Sequence, residues 1–564
     1  MEYPVRLLFA DILIEAGIDH VFGIPGGNTP FIFDGFVDKK DKIKTILVRH
    51  EGGASVMADM HARITGKPAV VVGQGPFIAT SGGFGILESF YSGLPMIIIC
   101  DTSDYFSLPL HGPYQNGTGD YGAADVPAML KAMTKFTTVA TNPTEFMHGL
   151  QLAIKHATTG RPGPAAVVIR WNVPFENIDL ENTNPKYFPI AGYLRNSPPH
   201  ISQEDANKAA DLLVKAQNPV MVIGQGVRSA KAYDEVVAIA ELLGMPVATS
   251  YLGKSAIAET HDCAVGMMGG TAQKITNQKI TGADVILAVG TSLAPDNTKW
   301  LARDYINAEK QKIIHIDIES LNAGWTFPVE MGITSDAKIA LKEIIASIKQ
   351  HPIKVDAKKR VETLMADKKE SRYFDEEAVY SDETPIAPER VVKELNDIMN
   401  EDDLLILDAG NARLWCCRHF QSKQAGQVLA GGGAAAIGYG TPAAISAQIT
   451  EPNKRVVCVT GDGGFSTQLY ALEHAKDLKL PVTYVIMNNS CLGNIHDYQA
   501  PDRKIASEYS TMNCADIARG FGLKGVRVDD PKDLKAALKE AIESTEAVLV
   551  EVMTKNESHF KLMG

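Results

Sequence analysis

At 564 residues the chain is long enough for about three domains at one per 100–200 residues, and its 45% hydrophobic content supplies their cores without a compositional sign of disorder. A net charge of −12 with no basic cluster excludes a nucleic-acid surface and fits a soluble protein. Glu2, Asp11, Glu15 and Asp19 make the start an amphipathic helix rather than a secretory signal. The low-charge stretch 430–447 is too rich in glycine, with Pro442, for a membrane span. Seven cysteines (Cys100, Cys263, Cys416, Cys417, Cys458, Cys491, Cys514) show neither metal spacing nor a disulfide framework, so they read as buried thiols in a reducing cytoplasm.

After the first helix, residues 19–27 form a strand running into the glycine turn Gly23-Ile-Pro-Gly-Gly27, and Asn28, Thr29 and Pro30 supply cap residues for a helix start. Strands over 43–48, 69–72 and 95–100 alternate with helices over 52–65 and 79–91, the pattern of a doubly wound domain whose right-handed crossovers bring strand ends to one rim. That rim carries Arg49-His50-Glu51, where Glu51 alone reads as an acid at a helix start and His50 as a packing or capping residue. It also carries the turn Gln74-Gly75-Pro76-Phe77 and Gly27, where glycine lets backbone approach a ligand. The loop 110–120 is polar, glycine-rich and too long for a simple turn. Its His111 and Gln115 are candidates for proton transfer or hydrogen bonding to substrate, the alternative being loop scaffolding.

Residues 161–169 close the first domain, and 182–202, rich in Asn and Pro, read as a linker. A second α/β unit has strands over 220–226, 246–249, 284–290 and 312–318. Its turn Gly224-Gln225-Gly226 opens onto a helix whose amino terminus could receive a phosphate. The charged stretch 349–383 reads as a solvated connector with some helix.

The last domain opens with a strand over 404–407 ending on Asp408-Ala409-Gly410-Asn411-Ala412-Arg413. The glycine- and alanine-rich stretch 431–444, containing Ile437, supplies small residues for close helix packing. The apolar run 455–460 ends in Gly461-Asp462-Gly463-Gly464, a helix follows over 468–478, and a strand over 481–487 delivers Asn488-Asn489. By itself Gly-Asp-Gly is an ordinary turn. Here, however, Asp462 and Asn489 fall at the carboxyl ends of two parallel strands, where open α/β sheets bind ligands. Mg²⁺ takes near-octahedral oxygen ligands. Asp462, Asn489 and the backbone carbonyl of Cys491 would leave positions for a diphosphate and a water. Leu492-Gly493-Asn494 and the helix through His496 and Tyr498 line the substrate side, and nothing in the short tail ending at Gly564 is expected to close over the site.

This arrangement, together with Arg49-His50-Glu51 and Gly75-Pro76, resembles the thiamine diphosphate fingerprint of the acetolactate synthase and 2-oxoacid decarboxylase superfamily, over essentially the whole chain. The resemblance implies three doubly wound, parallel-sheet α/β domains: pyrimidine-binding over 1–182, central over 183–350 and, after a linker over 351–384, diphosphate-binding over 385–564. It implies thiamine diphosphate with Mg²⁺ on Asp462, Asn489 and Cys491, and Gly410, Asn411, Gly461, Gly463, Gly464 and Gly493 around the cofactor. It places Glu51 on N1′ of the aminopyrimidine, driving the imino form that deprotonates thiazolium C2, and Ile437 as the apolar wedge that bends the cofactor. Gly27, His111 and Gln115 fall on the substrate side. Because the family sets this glutamate of one chain against the diphosphate site of another, a homodimer or homotetramer is the expected active form.

Several positions depart from the family. Phe77 replaces the last glycine of a Gly-Pro-Gly turn, Ala412 an imidazole, and Tyr498 a size-selecting tryptophan. Ser292 stands where acetolactate synthases carry an arginine for the acceptor carboxylate, and serine lacks that bidentate fork. Met267-Met-Gly-Gly-Thr271 lacks the histidine of FAD-binding relatives, so FAD, ADP or no ligand stay open for the central domain. Tyr114-Gln115 is similar to acetolactate synthases, while Leu110-His111 is similar to simple decarboxylases. The expected function is cleavage and ligation of a C–C bond on a 2-oxoacid, acetolactate synthase-like. The alternatives are a non-ligating 2-oxoacid decarboxylase and a 2-hydroxyacyl-CoA lyase. A non-catalytic subunit of the same fold is disfavoured by Glu51, Asp462 and Asn489.

Overall fold

The computed structural model describes residues 2–104, 115–120, 122–351, 355–370 and 373–563. The expected site residue His111, with Tyr114 beside it, lies outside the described residues. The chain divides into two compact units, residues 1–197 with 433–451, and residues 198–432 with 452–564.

In the first unit, β1 (Glu2–Pro4) leads into the helix Val5–Glu15, which buries Val5, Leu8, Phe9, Ala10, Ile12 and Leu13. The sheet comprises β2 (His20–Gly23), β3 (Lys44–Leu47), β4 (Ala69–Gly73), β5 (Met96–Asp101), β6 (Phe136–Ala140) and β7 (Pro164–Ile169). All are parallel, in the order β3-β2-β4-β5-β7-β6. β8 (Asn177–Asp179) returns antiparallel to β1. The uninterrupted apolar runs of β4 and β5 are buried throughout, as strands covered on both faces must be, whereas the edge strand β3 is mostly exposed. The helix expected over 79–91 is two helices, Gly75–Thr80 and Gly83–Ser92, broken at Ser81-Gly82. The small residues of 440–450 pack as expected: Ala443, Ala444 and Ala447 are buried, and Ser446 Oγ donates to the Met57 carbonyl at 2.6 Å, joining this helix to Glu51–Thr65.

The second unit holds two parallel sheets. β9 (Pro219–Ile223), β10 (Val247–Thr249), β11 (Ala264–Met267), β12 (Val285–Val289), β13 (Lys312–Asp317) and β14 (Met331–Thr334) run in the order β11-β10-β9-β12-β13-β14. β15 (Leu404–Leu407), β16 (Val428–Ala430), β17 (Val456–Gly461), β18 (Val482–Asn488), β19 (Lys524–Val528) and β20 (Val548–Met553) run in the order β16-β15-β17-β18-β20-β19. This last sheet repeats the strand order of the first. In each, the order reverses between the first two parallel strands of the chain and those that follow, which puts the switch point beside β2 and β4 in one, and β15 and β17 in the other.

Two further segments differ from expectation. The stretch read as a solvated connector carries the helix Ala357–Lys368, which is docked on the central sheet. Leu364 is 2% exposed, and the Arg360 guanidinium donates to the carbonyls of Leu243 (3.2 Å), Ala216 (2.6 Å) and Gln217 (3.1 Å). One arginine and one leucine outweigh the lysines on its other faces. The helix expected over 468–478 is shorter, Ala471–Asp477, because residues 462–466 form their own turn of helix first.

Candidate active site

At the carboxyl end of β18, Asn488 is fully buried and gives its amide hydrogens to Glu551 Oε1 (2.7 Å) and the Met512 carbonyl (2.9 Å). Ser490 then takes a left-handed backbone (φ 57°), turning the chain so that Asn489 and the Cys491 carbonyl face Asp462 at the end of β17. One terminal atom of the Asn489 amide lies 3.3 Å from Asp462 Oδ1 and 3.0 Å from the Cys491 carbonyl oxygen. The other lies 3.3 Å from Asn556 Oδ1. If the amide nitrogen is the atom donating to Asn556, the amide oxygen faces a carboxylate and a carbonyl with no proton between them. Such a set of oxygens asks for a cation. Mg–O bonds of about 2.0–2.1 Å put neighbouring octahedral ligands about 2.9 Å apart, close to this spacing. Asp462 is 1% exposed with Oδ2 unpartnered, and a buried, half-satisfied carboxylate is costly unless something binds it. Burial pushes its carboxyl above the ordinary range, opposed by the Tyr509 hydroxyl. The residues fit a hard divalent cation.

The expected glycines fall into two kinds. A Cβ on Gly464 would lie 2.8 Å from both Asp408 Oδ2 and Thr460 Oγ1, which are hydrogen-bonded to each other, and one on Gly493 would meet the amides of Asn411 and Asn489. Gly463 lies equally close to Leu492 and the Tyr509 hydroxyl. These three are needed for packing around the site. A Cβ on Gly461 would meet only the Met487 carbonyl oxygen, at 3.9 Å, while Gly410 faces open space and, with φ 89°, precedes the helix Asn411–His419, turning its amino terminus to the rim. Ala412, in place of the family's imidazole, lies in the core.

The tail is not idle, contrary to expectation. Asp497 Oδ2 accepts the Asn411 amide (2.8 Å), the His559 backbone N–H (2.9 Å) and His559 Nδ1 (2.5 Å), so His559 pins the tail against the helix Gly493–Tyr498. Asn556 reaches both Asn489 and His496 Nδ1. These tail contacts hold the Asp497 carboxyl below its ordinary range against the opposing effect of burial. Tyr498 stays 62% exposed.

On the first unit's rim, Glu51 begins the helix Glu51–Thr65, with His50 as its cap: Nδ1 accepts the Gly52 N–H at 3.1 Å. Glu51 is partly buried, and among the described residues nothing pairs with its carboxylate. Gln74 Nε2 donates to Gln115 Oε1 at 3.1 Å, and Gly27 (φ 57°) lies so close that a Cβ would meet Asp101 Oδ2 at 2.8 Å and Gln74 Cδ at 3.3 Å. Asp101, at the end of β5, is the residue that sequence reasoning missed. Its buried carboxylate accepts the N–H groups of Asn28 (3.0 Å) and Gly75 (3.1 Å) and the Ser103 hydroxyl (3.0 Å), tying three strand-end loops together. Phe77 is 39% exposed. Ile437, 40% exposed, stands between Ala435 (φ 53°) and Gly438 (φ 90°).

In the central domain the glycine turn is spent on packing. A Cβ on Gly224 would lie 2.4 Å from the Gly290 carbonyl oxygen, and the helix after it is only Gln225–Ser229, which corrects the reading of a phosphate-binding helix start. A cavity of about 880 Å³ lined by Lys215, Lys279, Lys359 and Arg360 sits at the amino-terminal ends of β9 and β10, the opposite edge from the ligand rim.

The chain matches three family models: Thiamine pyrophosphate enzyme, N-terminal TPP binding domain, over residues 5–121; the central domain over 206–344; and the C-terminal TPP binding domain over 408–552. It is similar to a probable acetolactate synthase large subunit of Methanocaldococcus jannaschii, 30% identical over 96% of this chain and 91% of the relative. It is 27% identical to the acetolactate synthase large subunit of Haemophilus influenzae (97% and 94%) and to the mitochondrial acetolactate synthase catalytic subunit of Saccharomyces cerevisiae (97% and 80%). Three such domains in this order define a thiamine diphosphate-dependent enzyme. Within that class the chain belongs to the acetolactate synthase superfamily.

Proposed function

We propose that this chain, with thiamine diphosphate and Mg²⁺, removes CO₂ from a small 2-oxoacid and joins the retained acyl unit to a second carbonyl compound, as an acetolactate synthase-like carboligase. The observation that carries this is the convergence of Asp462, Asn489 and the Cys491 carbonyl at the carboxyl ends of β17 and β18, in a chain whose relatives are acetolactate synthases. When bound, the cofactor would supply a thiazolium ring that takes up the electrons of decarboxylation. Asp462, Asn489 and Cys491 hold the cation, and the N–H groups beyond Gly410, with Asn411 and Gly461, meet diphosphate oxygens. Glu51 exchanges a proton with N1′ of the aminopyrimidine. Ile437 would pack against the bound cofactor and favour its bent conformer. Gln115 and Gly27 would meet substrate, and His111, outside the described residues, is the further candidate for hydrogen bonding or proton transfer.

We assign a homodimer or homotetramer as the active form, on the family's pairing of the two sites. Among the described residues no helix is long and apolar enough to cross a membrane, and the seven cysteines are free and buried. We place its work in the cytoplasm, which free, buried thiols suit.

The test is full-length protein with thiamine diphosphate, Mg²⁺ and pyruvate, its products separated by mass spectrometry and its absorption spectrum recorded for flavin. Acetolactate is expected, with the acceptor held without a guanidinium at Ser292. Acetaldehyde alone would replace the proposal with a plain decarboxylase, and unchanged pyruvate would remove pyruvate as donor. A second expectation concerns the tail. His559→Ala frees Asp497 and, through it, Asn411. Outer-shell losses of this kind cost about 10–100-fold in affinity, so calorimetry should show weaker thiamine diphosphate binding with Mg²⁺ present. Unchanged affinity would make the tail mere packing.

A further inference from the structure

The loop that carries Ile437 is clipped on both sides by buried carboxylates. Glu88, 2% exposed, accepts three successive backbone N–H groups: Gly433 on Oε1 (2.9 Å), and Ala434 (2.8 Å) and Ala435 (3.2 Å) on Oε2. Successive N–H groups converging in this way form an anion cradle, and here the anion is a side chain of the same unit. Glu88 Oε1 also takes the Arg63 guanidinium (3.0 Å) and the Ser92 hydroxyl (2.7 Å). On the other side of Ile437, the Tyr439 hydroxyl donates to Asp59 Oδ2 (2.5 Å), and Arg63 joins the two clips by reaching Asp59 Oδ2 at 3.1 Å. Ala435 between them holds a left-handed backbone (φ 53°), a conformation that costs a non-glycine residue energy and persists only where surroundings impose it. Gly433 is equally constrained, since a Cβ there would lie 2.8 Å from Tyr91 Cβ and 2.9 Å from Ser92 Oγ.

We propose that Glu88 is a positioning residue for the cofactor chemistry: its carboxylate imposes the strained 433–435 backbone and thereby fixes Ile437 in the exposed presentation that bends thiamine diphosphate. The inference rests on the cofactor reading above. Glu88 acts through Ile437 and touches neither substrate nor cofactor. A simple core ion pair would need only Arg63; three N–H groups on the same carboxylate are what couple it to the loop.

Glu88→Gln keeps the volume but cannot accept on both ends, because its amide nitrogen must face either an N–H or the guanidinium. The test uses the full chain as wild type, Glu88→Gln, Ile437→Ala and the double variant. In cofactor-free protein, hydrogen exchange at amides 433–435 should accelerate about tenfold or more in Glu88→Gln, the loss expected for a charge-assisted hydrogen bond. Thiamine diphosphate affinity with Mg²⁺ should stay unchanged by calorimetry. C2 proton exchange of the bound cofactor should slow in Glu88→Gln, and the double variant should be no slower than Ile437→Ala, since both act on one element. Glu88→Asp keeps the charge for Arg63 but draws back one methylene. It should fold normally and give intermediate rates, which separates positioning from a folding defect. Wild-type C2 exchange in Glu88→Gln, or effects that add to those of Ile437→Ala, would overturn the role of Glu88 alone. A wild-type chain that does not accelerate C2 exchange would overturn the cofactor reading and this inference with it.

Discussion

Glu51→Gln is expected to bind thiamine diphosphate as the wild type does, yet to lose C2 proton exchange and to turn over about 10²–10⁴-fold more slowly, the usual span for removing a general acid–base group. Glutamine preserves the shape and one hydrogen bond but cannot pass a proton to and from N1′. The fold should tolerate the change. Glu51 begins a helix already capped by His50, so its charge there contributes only about 0.3–1 kcal/mol. No described partner would be left stranded, because among the described residues nothing pairs with the Glu51 carboxylate. The readouts are therefore independent: calorimetry for binding, quenched-flow NMR for C2 exchange, and thermal melting for stability. Exchange at the wild-type rate in Glu51→Gln would refute its role as the activating carboxylate.

Asp462→Ala should abolish the metal-dependent part of cofactor binding. Outer-shell ligand losses already cost about 10–100-fold, so removing a charged direct ligand should exceed about 100-fold in thiamine diphosphate affinity measured with Mg²⁺. The cofactor-free variant should melt no lower than the wild type. Asp462 is 1% exposed with one oxygen unpartnered, so in the absence of a cation its charge is a burden on the fold rather than a support. Only the wild type should gain stability when Mg²⁺ and cofactor are added together, by about 2.7 kcal/mol at a hundred times Kd. Equal affinity in both proteins would remove Asp462 from the cation site.

The sheets were legible because their central strands are uninterrupted apolar runs that end on Gly, Asp or Asn, and the parallel order then brings Asp462 and Asn489 to one edge. What stayed hidden depends on partners far along the chain. Asp101 looks like any acid after Ile-Ile-Ile-Cys, and its meaning appears only when the N–H groups of Asn28 and Gly75 arrive beside it. Asn556 and His559 sit in a short polar tail with no pattern, and their targets Asn489 and Asp497 lie more than a strand and two helices back. Glu88 is one acid on a helix whose partners are backbone groups of Gly433, Ala434 and Ala435, invisible to any side-chain motif. In the opposite direction, Gly224-Gln225-Gly226 carries the letters of a phosphate loop, but the backbone it lets approach is that of Gly290. A glycine turn records close approach and does not say to what.

The most direct test of the account is the rate of C2 deuterium exchange in thiamine diphosphate bound to the wild-type chain, measured with Mg²⁺ and again after chelation. Exchange should be accelerated by about 10² or more over the free cofactor, as a positioned proton-transfer group provides, and should return to the free rate when the cation is removed. Exchange no faster than in free solution with Mg²⁺ present would contradict it.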